Sequence, residues 1–222
     1  EGWLYSRQGK GTFIRCVPSP KVKFNHTNTI GVITTYLNDY IFPAIIQGID
    51  KVTSANGYNI MLGCTYNQHE KERNCLENLM GQDIAGIIVE TTKSALPNTN
   101  LDLYNEFENM GIPVLFIHGS YKGLDSPSIV QDDEEAGYLA TRHLLELGHS
   151  EIGGVFKIDD IQGHYRFAGF QKAQVEAGIK PVDSRIVWYA TDEAEDKIGS
   201  SDSKQLTDLL SGCSAIVCYN DM

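Results

Sequence analysis

The stretch Thr29–Asp50, TIGVITTYLNDYIFPAIIQGID, decides the fold. Ile30–Ile33 is an apolar run without the polar alternation of a half-exposed strand, as a strand covered on both faces requires. Beyond a polar loop the period changes. Phe42, Ile45, Ile46, Ile49 and Val52 recur at helical spacing, with Gln47, Asp50 and Lys51 on the opposite face. Pro43 fits the first turn, where no backbone donor is needed, and Asn56-Gly57 supplies a left-handed stop. The segment therefore reads strand, loop, helix.

The same alternation continues outward. Further β-rich runs lie at Ile60–Leu62, Gly86–Val89, Val114–Ile117, Ile152–Phe156, Ile186–Tyr189 and Ala215–Cys218, with a shorter one at Ser128–Val130. Ala136, Leu139, Ala140, Leu144 and Leu147 form a second helical stripe, ended by Gly148. Phe167, Phe170 and Ala173 begin a third, ended by Gly178, and Leu206, Leu209 and Leu210 belong to a fourth. Strands alternating with helices mean an α/β fold with parallel sheets flanked by helices. Such sheets bind ligands beyond the carboxyl ends of their strands, which directs attention to loops 34–42, 90–97, 118–123, 131–134, 157–166 and 219–222.

The front of the chain differs. Residues 3–16, WLYSRQGKGTFIRC, read as two short strands around Gly9-Lys10-Gly11, and residues 17–28 read as a Pro-containing linker. The chain has 222 residues, 41% of them hydrophobic, enough for a substantial core. Its net charge of −11 would repel phosphates, so any contact with DNA needs a separate basic element. No apolar run approaches the ~18 residues that span a bilayer, and no signal-like segment opens the sequence. The five cysteines, Cys16, Cys64, Cys75, Cys213 and Cys218, are irregularly spaced, which suits a reducing cytosol better than a disulfide framework or a zinc site.

Enzyme signatures are missing from their usual places. The loop after the first strand, TTYLNDYIFP, has none of the glycines of a dinucleotide fingerprint. There is no phosphate loop and no Gly-x-Ser-x-Gly elbow. His69-Glu70-Lys71-Glu72-Arg73 starts like a zinc-protease helix but lacks the second histidine, and reads as a solvated helix face. The expectation is a binding protein with no metal or cofactor.

Polar planar groups and aromatics gather instead at strand ends: Asn38, Asp39, Tyr40 and Phe42; Glu90 and Lys93; Asp132; Gln162, His164 and Arg166; Asn220 and Asp221. Carboxylates, amides and guanidinium groups can each bond two neighbouring hydroxyls, and an aromatic ring covers the C–H face of a sugar. Plainer roles also fit. Asn38, Asp39 and Asp132 suit helix caps, Phe42 suits a core position, and Lys93 suits a solvated loop. Arg166 is different, because it shares a segment with Phe167 and Phe170 and needs an acceptor.

From Thr29 onward the chain resembles the lactose-repressor and type I periplasmic-binding-protein superfamily. The resemblance is carried by IGVITTYLNDYIFPAIIQGID, GIIVE, GIPVLFI, VQDDEEAGYLATRHLLELGHSEIGG, RFAGFQKA and AIVCYND, in the family's order. It implies a two-subdomain fold over 29–222, with 29–130 supplying most of one lobe and 131–222 part of the other. It implies effector contacts at Asp39, Phe42, Asp132, Arg166 and Asn220. The strings TTYLNDYIFP, IIVETTKSAL and DDIQGHYRFAGF resemble an arabinose-responsive branch of repressors, which implies L-arabinose as effector and adds Glu90, Lys93 and Gln162. RQGKGTF resembles the wing that ends a GntR-type winged helix, with residues 1–16 as its remnant, and implies that Arg7, Gln8, Lys10 and Thr12 approach operator DNA. An ordinary hairpin also fits that short segment. The family further implies a helix-turn-helix ahead of the wing, more chain after Met222 that completes the cleft, a homodimer and a cytoplasmic location without membrane contact. An extracytoplasmic sugar receptor feeding a transporter would share this fold; the wing-like segment favours a repressor.

Overall fold

The computed structural model describes residues 4–7, 11–14, 27–38, 41–199 and 204–221. Strands β1 (Leu4–Arg7) and β2 (Gly11–Ile14) pair antiparallel, with Arg7 opposite Gly11. Of the four residues expected at DNA, Gln8 and Lys10 lie outside the described residues, and Arg7 and Thr12 are described only as members of this pair.

The described residues from 27 onward are built on two parallel sheets. The first contains β3 (Thr29–Thr34), β4 (Asn59–Cys64), β5 (Gly86–Glu90), β6 (Val114–Ile117) and β7 (Ser128–Ile129), in the order β4-β3-β5-β6-β7. Helices α1 (Phe42–Ala55), α2 (His69–Met80) and α3 (Leu101–Asn109) connect its strands. The second contains β8 (Ile152–Lys157), β9 (Ile186–Tyr189) and β10 (Ala215–Cys218), in the order β10-β8-β9. It is accompanied by α4 (Asp133–Glu146), α5 (Ile161–Glu176) and α6 (Lys204–Leu210). Asn56-Gly57, Gly148 and Gly178 end their helices as the sequence predicts, each glycine with positive φ.

Each sheet has its own core. Ile33, Leu76, Ile87, Val89, Tyr104, Phe107 and Phe116 pack under the first. Phe156, Phe167, Phe170 and Trp188 form an aromatic group under the second, with Phe156 within 5.3 to 5.8 Å of the other three rings. Full burial of such a ring is worth about 1.5–3 kcal/mol, so each cluster contributes strongly to the stability of its sheet.

Three expectations change. β4 and β7 are sheet edges rather than strands covered on both faces: Met61, Leu62 and Ile129 are exposed. The segment at His69 is helical but not simply solvated, since Glu72 is fully buried. Its carboxylate accepts hydrogen bonds from Tyr104 Oη at 2.9 Å, Tyr121 Oη at 2.5 Å, Asn98 Nδ2 at 2.9 Å and Asn100 Nδ2 at 2.8 Å. Four donors replace the water that the charge gives up.

The third change concerns α4. The apolar stripe expected to face inward leaves Leu139 and Leu147 exposed, and the buried line is Asp133, Gly137 and Thr141. The cause is the closeness of α5. A Cβ at Gly137 would collide with the Arg166 carbonyl, and one at Gly169 with the Glu134 carbonyl. Only small residues fit between helices that approach this tightly, so size overrides hydrophobicity on that face.

Candidate functional site

The carboxyl ends of both sheets face a common cleft of about 140 Å³. Thr35 and Tyr36 follow β3, Glu90 ends β5 and His118 follows β6. Lys157 ends β8, while Tyr219 and Asn220 follow β10. The first turns of α5 add Gln162 and Arg166, and α1 begins with Phe42. Parallel topology makes this convergence, because it puts all these loops at the same end of their strands.

Glu90 is held from two sides. Its Oε2 accepts from the Thr35 amide and the Thr35 hydroxyl, both at 2.7 Å, and its Oε1 lies 3.1 Å from His118 Nδ1. Across the cleft, Arg166 Nε donates to Asp133 Oδ1 at 2.8 Å and its Nη2 donates to Gln131 Oε1 at 3.3 Å. Another guanidinium nitrogen donates to the Tyr219 carbonyl, and the group lies 4.9 Å from the centre of the Tyr219 ring. Gln162 reaches both sides of the same network, donating to Asp133 at 3.3 Å and accepting from Tyr219 Oη at 3.4 Å.

A third pair joins Lys157 Nζ to Asp160 Oδ2 at 2.7 Å. Burial pulls the Lys157 ammonium down, but the adjacent Asp160 carboxylate outweighs it and holds the amine above its ordinary value. Burial pushes the Asp160 carboxyl up despite Lys157. Burial also raises the Tyr219 phenol well above its usual range, so it stays a neutral donor. The rings of Tyr36 and Phe42 stand 5.7 Å apart and form an apolar wall.

Of the residues expected to contact ligand, Phe42, Glu90, Gln162, Arg166 and Asn220 line this cleft. Asp39 lies outside the described residues. Asp132 and Lys93 are not among its lining residues. Asp132 caps α4, its Oδ1 accepting from the Glu135 amide at 3.0 Å, and its neighbour Asp133 takes the inward position beside Arg166. Lys93 reaches away from the cleft to Asp192, 2.9 Å from its carboxylate. Sequence reading missed Thr35, Tyr36, His118, Gln131, Lys157, Asp160 and Tyr219 as individuals. All seven lie in the strand-end loops that the topology had singled out, and that was the available signal.

In this geometry Glu90 faces His118, Lys157 faces Asp160 and Arg166 faces Asp133, each pair within 3.1 Å. The cleft therefore presents oriented donors and acceptors, with the Lys157 and Arg166 charges each matched by a carboxylate. Among the described residues no cluster of His, Cys, Asp or Glu could hold a metal ion, and no helix is long and apolar enough to cross a membrane.

Two parallel α/β sheets with a polar, ring-walled cleft at their shared carboxyl end define a class of small-molecule-binding domains. The profile described as periplasmic binding proteins and sugar binding domain of LacI family matches residues 27–222, and the chain belongs to that family. It is 40% identical, over 100% of its length and 60% of the relative's, to the arabinose metabolism transcriptional repressor of Halalkalibacterium halodurans. It is 38% identical, with the same coverage, to the protein of that name from Geobacillus stearothermophilus. The chain thus spans about 60% of the length of these curated relatives. The crystal structure of the transcription regulator CcpA of Lactococcus lactis superposes with a TM-score of 0.72 at 24% identity, covering 88% of this chain and 69% of that one, and supports the fold.

Proposed function

We propose that this chain is the effector-sensing part of a cytoplasmic, non-enzymatic repressor of sugar-utilisation genes, and that its effector is L-arabinose. The observation that carries the reading is that the charged groups of the cleft are already engaged. Lys157 with Asp160 and Arg166 with Asp133 form ion pairs within 2.8 Å, and Glu90 is bonded by Thr35 and His118. Oriented donors and acceptors thus face the cleft, and neither cation is left to demand an anionic ligand. A neutral polyol suits such a surface. Size agrees. A dry cavity of about 150 Å³ takes one benzene-sized ring, so a cleft of about 140 Å³ suits one monosaccharide. Phe42 and Tyr36 would cover its C–H face, while Glu90, Gln162, Arg166 and Asn220 would bond its hydroxyls. The names of the two similar repressors support arabinose in particular.

Residues 29–130 and 131–222 would act as two lobes that close on the sugar. The half-covered apolar face of α1 and β4, with Val52, Met61 and Leu62 exposed, would pair with a second copy. The β1–β2 pair would be the end of a GntR-type wing, with Arg7, Gln8, Lys10 and Thr12 toward operator DNA. Closure would shift the dimer and weaken operator binding; a typical coupling of about 1–3 kcal/mol changes affinity several-fold to about a hundredfold.

Titration calorimetry of the full-length protein with L-arabinose, D-galactose and D-xylose tests the reading. Heat with L-arabinose alone supports it, and the absence of binding by any pentose removes it.

A further inference from the structure

All four non-glycine residues with left-handed backbone among the described residues, Tyr66, Asn67, Lys93 and His118, lie just past the carboxyl ends of the first sheet. Side chains rarely tolerate that conformation unless neighbouring contacts hold it. For two of them the contacts cross to the second sheet. The Asn67 side chain is 1% exposed and bonds in two directions. Its Oδ1 accepts from the Lys93 amide at 2.7 Å, and its Nδ2 donates to Thr191 Oγ1 at 2.6 Å. Lys93 in turn extends its ammonium to Asp192, 2.9 Å away. The Ala95 amide donates to the Asp159 carbonyl at 3.2 Å, and Asp159 Oδ2 accepts from the Thr191 amide at 2.9 Å.

We infer that Asn67, Lys93, Thr191 and Asp192 form a clasp that sets how firmly the two lobes close, and so sets sugar affinity from outside the cleft. The inference rests on the proposed sugar-sensing role. None of the four lines the cleft, so they act on the ligand only through lobe position. The clasp joins residues far apart in sequence and on different sheets. Its parts differ in strength. Asn67–Thr191 is largely shielded, whereas Asp192 is exposed and its pair with Lys93 is open to screening. A contact that forms on closure holds a bound ligand in and leaves the first encounter unchanged.

The test uses Thr191→Val and Asp192→Asn in the full-length protein, both on the far side of the strained loops. L-arabinose affinity is measured by calorimetry, and association and dissociation rates by stopped flow. Each variant is expected to bind about three- to tenfold more weakly. The loss should lie in a faster dissociation rate, with the association rate unchanged. Ala95 and Thr191 amides should exchange hydrogen faster in both variants. Pentose binding with unaltered Kd in both variants overturns this inference alone. Failure of the unaltered protein to bind any pentose overturns the sugar reading and this inference with it.

Discussion

Arg166 and Asp133 are held together by a 2.8 Å ion pair, yet they belong to different helices and are separated by most of α4 and all of β8. Asp133 is almost fully buried in the first turn of α4, and Arg166 reaches it from the second turn of α5. The carboxylate turns a flexible guanidinium into a fixed fork at the floor of the cleft.

Removing that carboxylate charge should loosen the fork without emptying the space. Asp133→Asn is expected to weaken L-arabinose binding at least tenfold and to lower stability by about 1–3 kcal/mol, because a partly buried guanidinium loses its counter-charge. Arg166→Ala should abolish the sugar response while sparing operator binding by the full-length protein. Calorimetry, urea denaturation and an operator shift assay read the three effects. Sugar binding by Asp133→Asn at full strength would show that Arg166 needs no such support.

The closeness of α4 and α5 provides the second expectation. Gly137→Ala places a methyl group against the Arg166 carbonyl, which cannot yield without moving α5. A cost of about 1–3 kcal/mol is expected, together with weakened sugar binding, since Arg166 moves with its helix. Gly48→Ala on α1 is the control, because nothing lies near its added methyl. It should be neutral or stabilising by up to about 1 kcal/mol. Equal midpoints for the two variants in thermal denaturation would refute the tight crossing.

Alkaline pH supplies the third. Burial, reinforced by Glu72, raises the Tyr104 and Tyr121 phenols well above 10, and burial alone is the leading cause that lifts Tyr189 to about 12. In the unfolded chain these groups ionise near 10. The folded form keeps its protons longer, so their contribution to stability is intact below pH 10 and falls as pH climbs from 10 through 12. Phenolate absorbance should therefore rise in two stages: exposed tyrosines first, then the buried set in a cooperative step that coincides with loss of circular dichroism. A single smooth titration centred near 10 would show that these phenols are not held in the core.

The strands and the helix α1 were legible in order because they depend on local pattern. Runs such as Val114–Ile117 and Ala215–Cys218 are apolar whichever neighbours they acquire, and their observed bounds are those read from the sequence. The strand-end loops followed from topology. Within them the family resemblance singled out Phe42, Arg166 and Asn220, and the arabinose-responsive branch added Glu90 and Gln162, all of which line the cleft. Asp132 and Asp133 show where that reading stops. Both are acidic and adjacent, and each can cap a helix or face a cleft. Their division of labour depends on the rotation of α4 against α5, to which both helices contribute.

The sequence by itself determined an α/β chain of parallel sheets, the end of those sheets at which the cleft-lining loops gather, and a family. These rest on periodicity and on strings of adjacent residues. Only the tertiary structure decided that Glu72 is a buried acceptor for four donors, that Gly137 rather than Leu139 faces inward, and that Lys93 reaches Asp192 rather than the cleft. Each depends on the distance between groups that are remote along the chain. A charged side chain keeps the same letter whether its partner is water or a residue on another sheet.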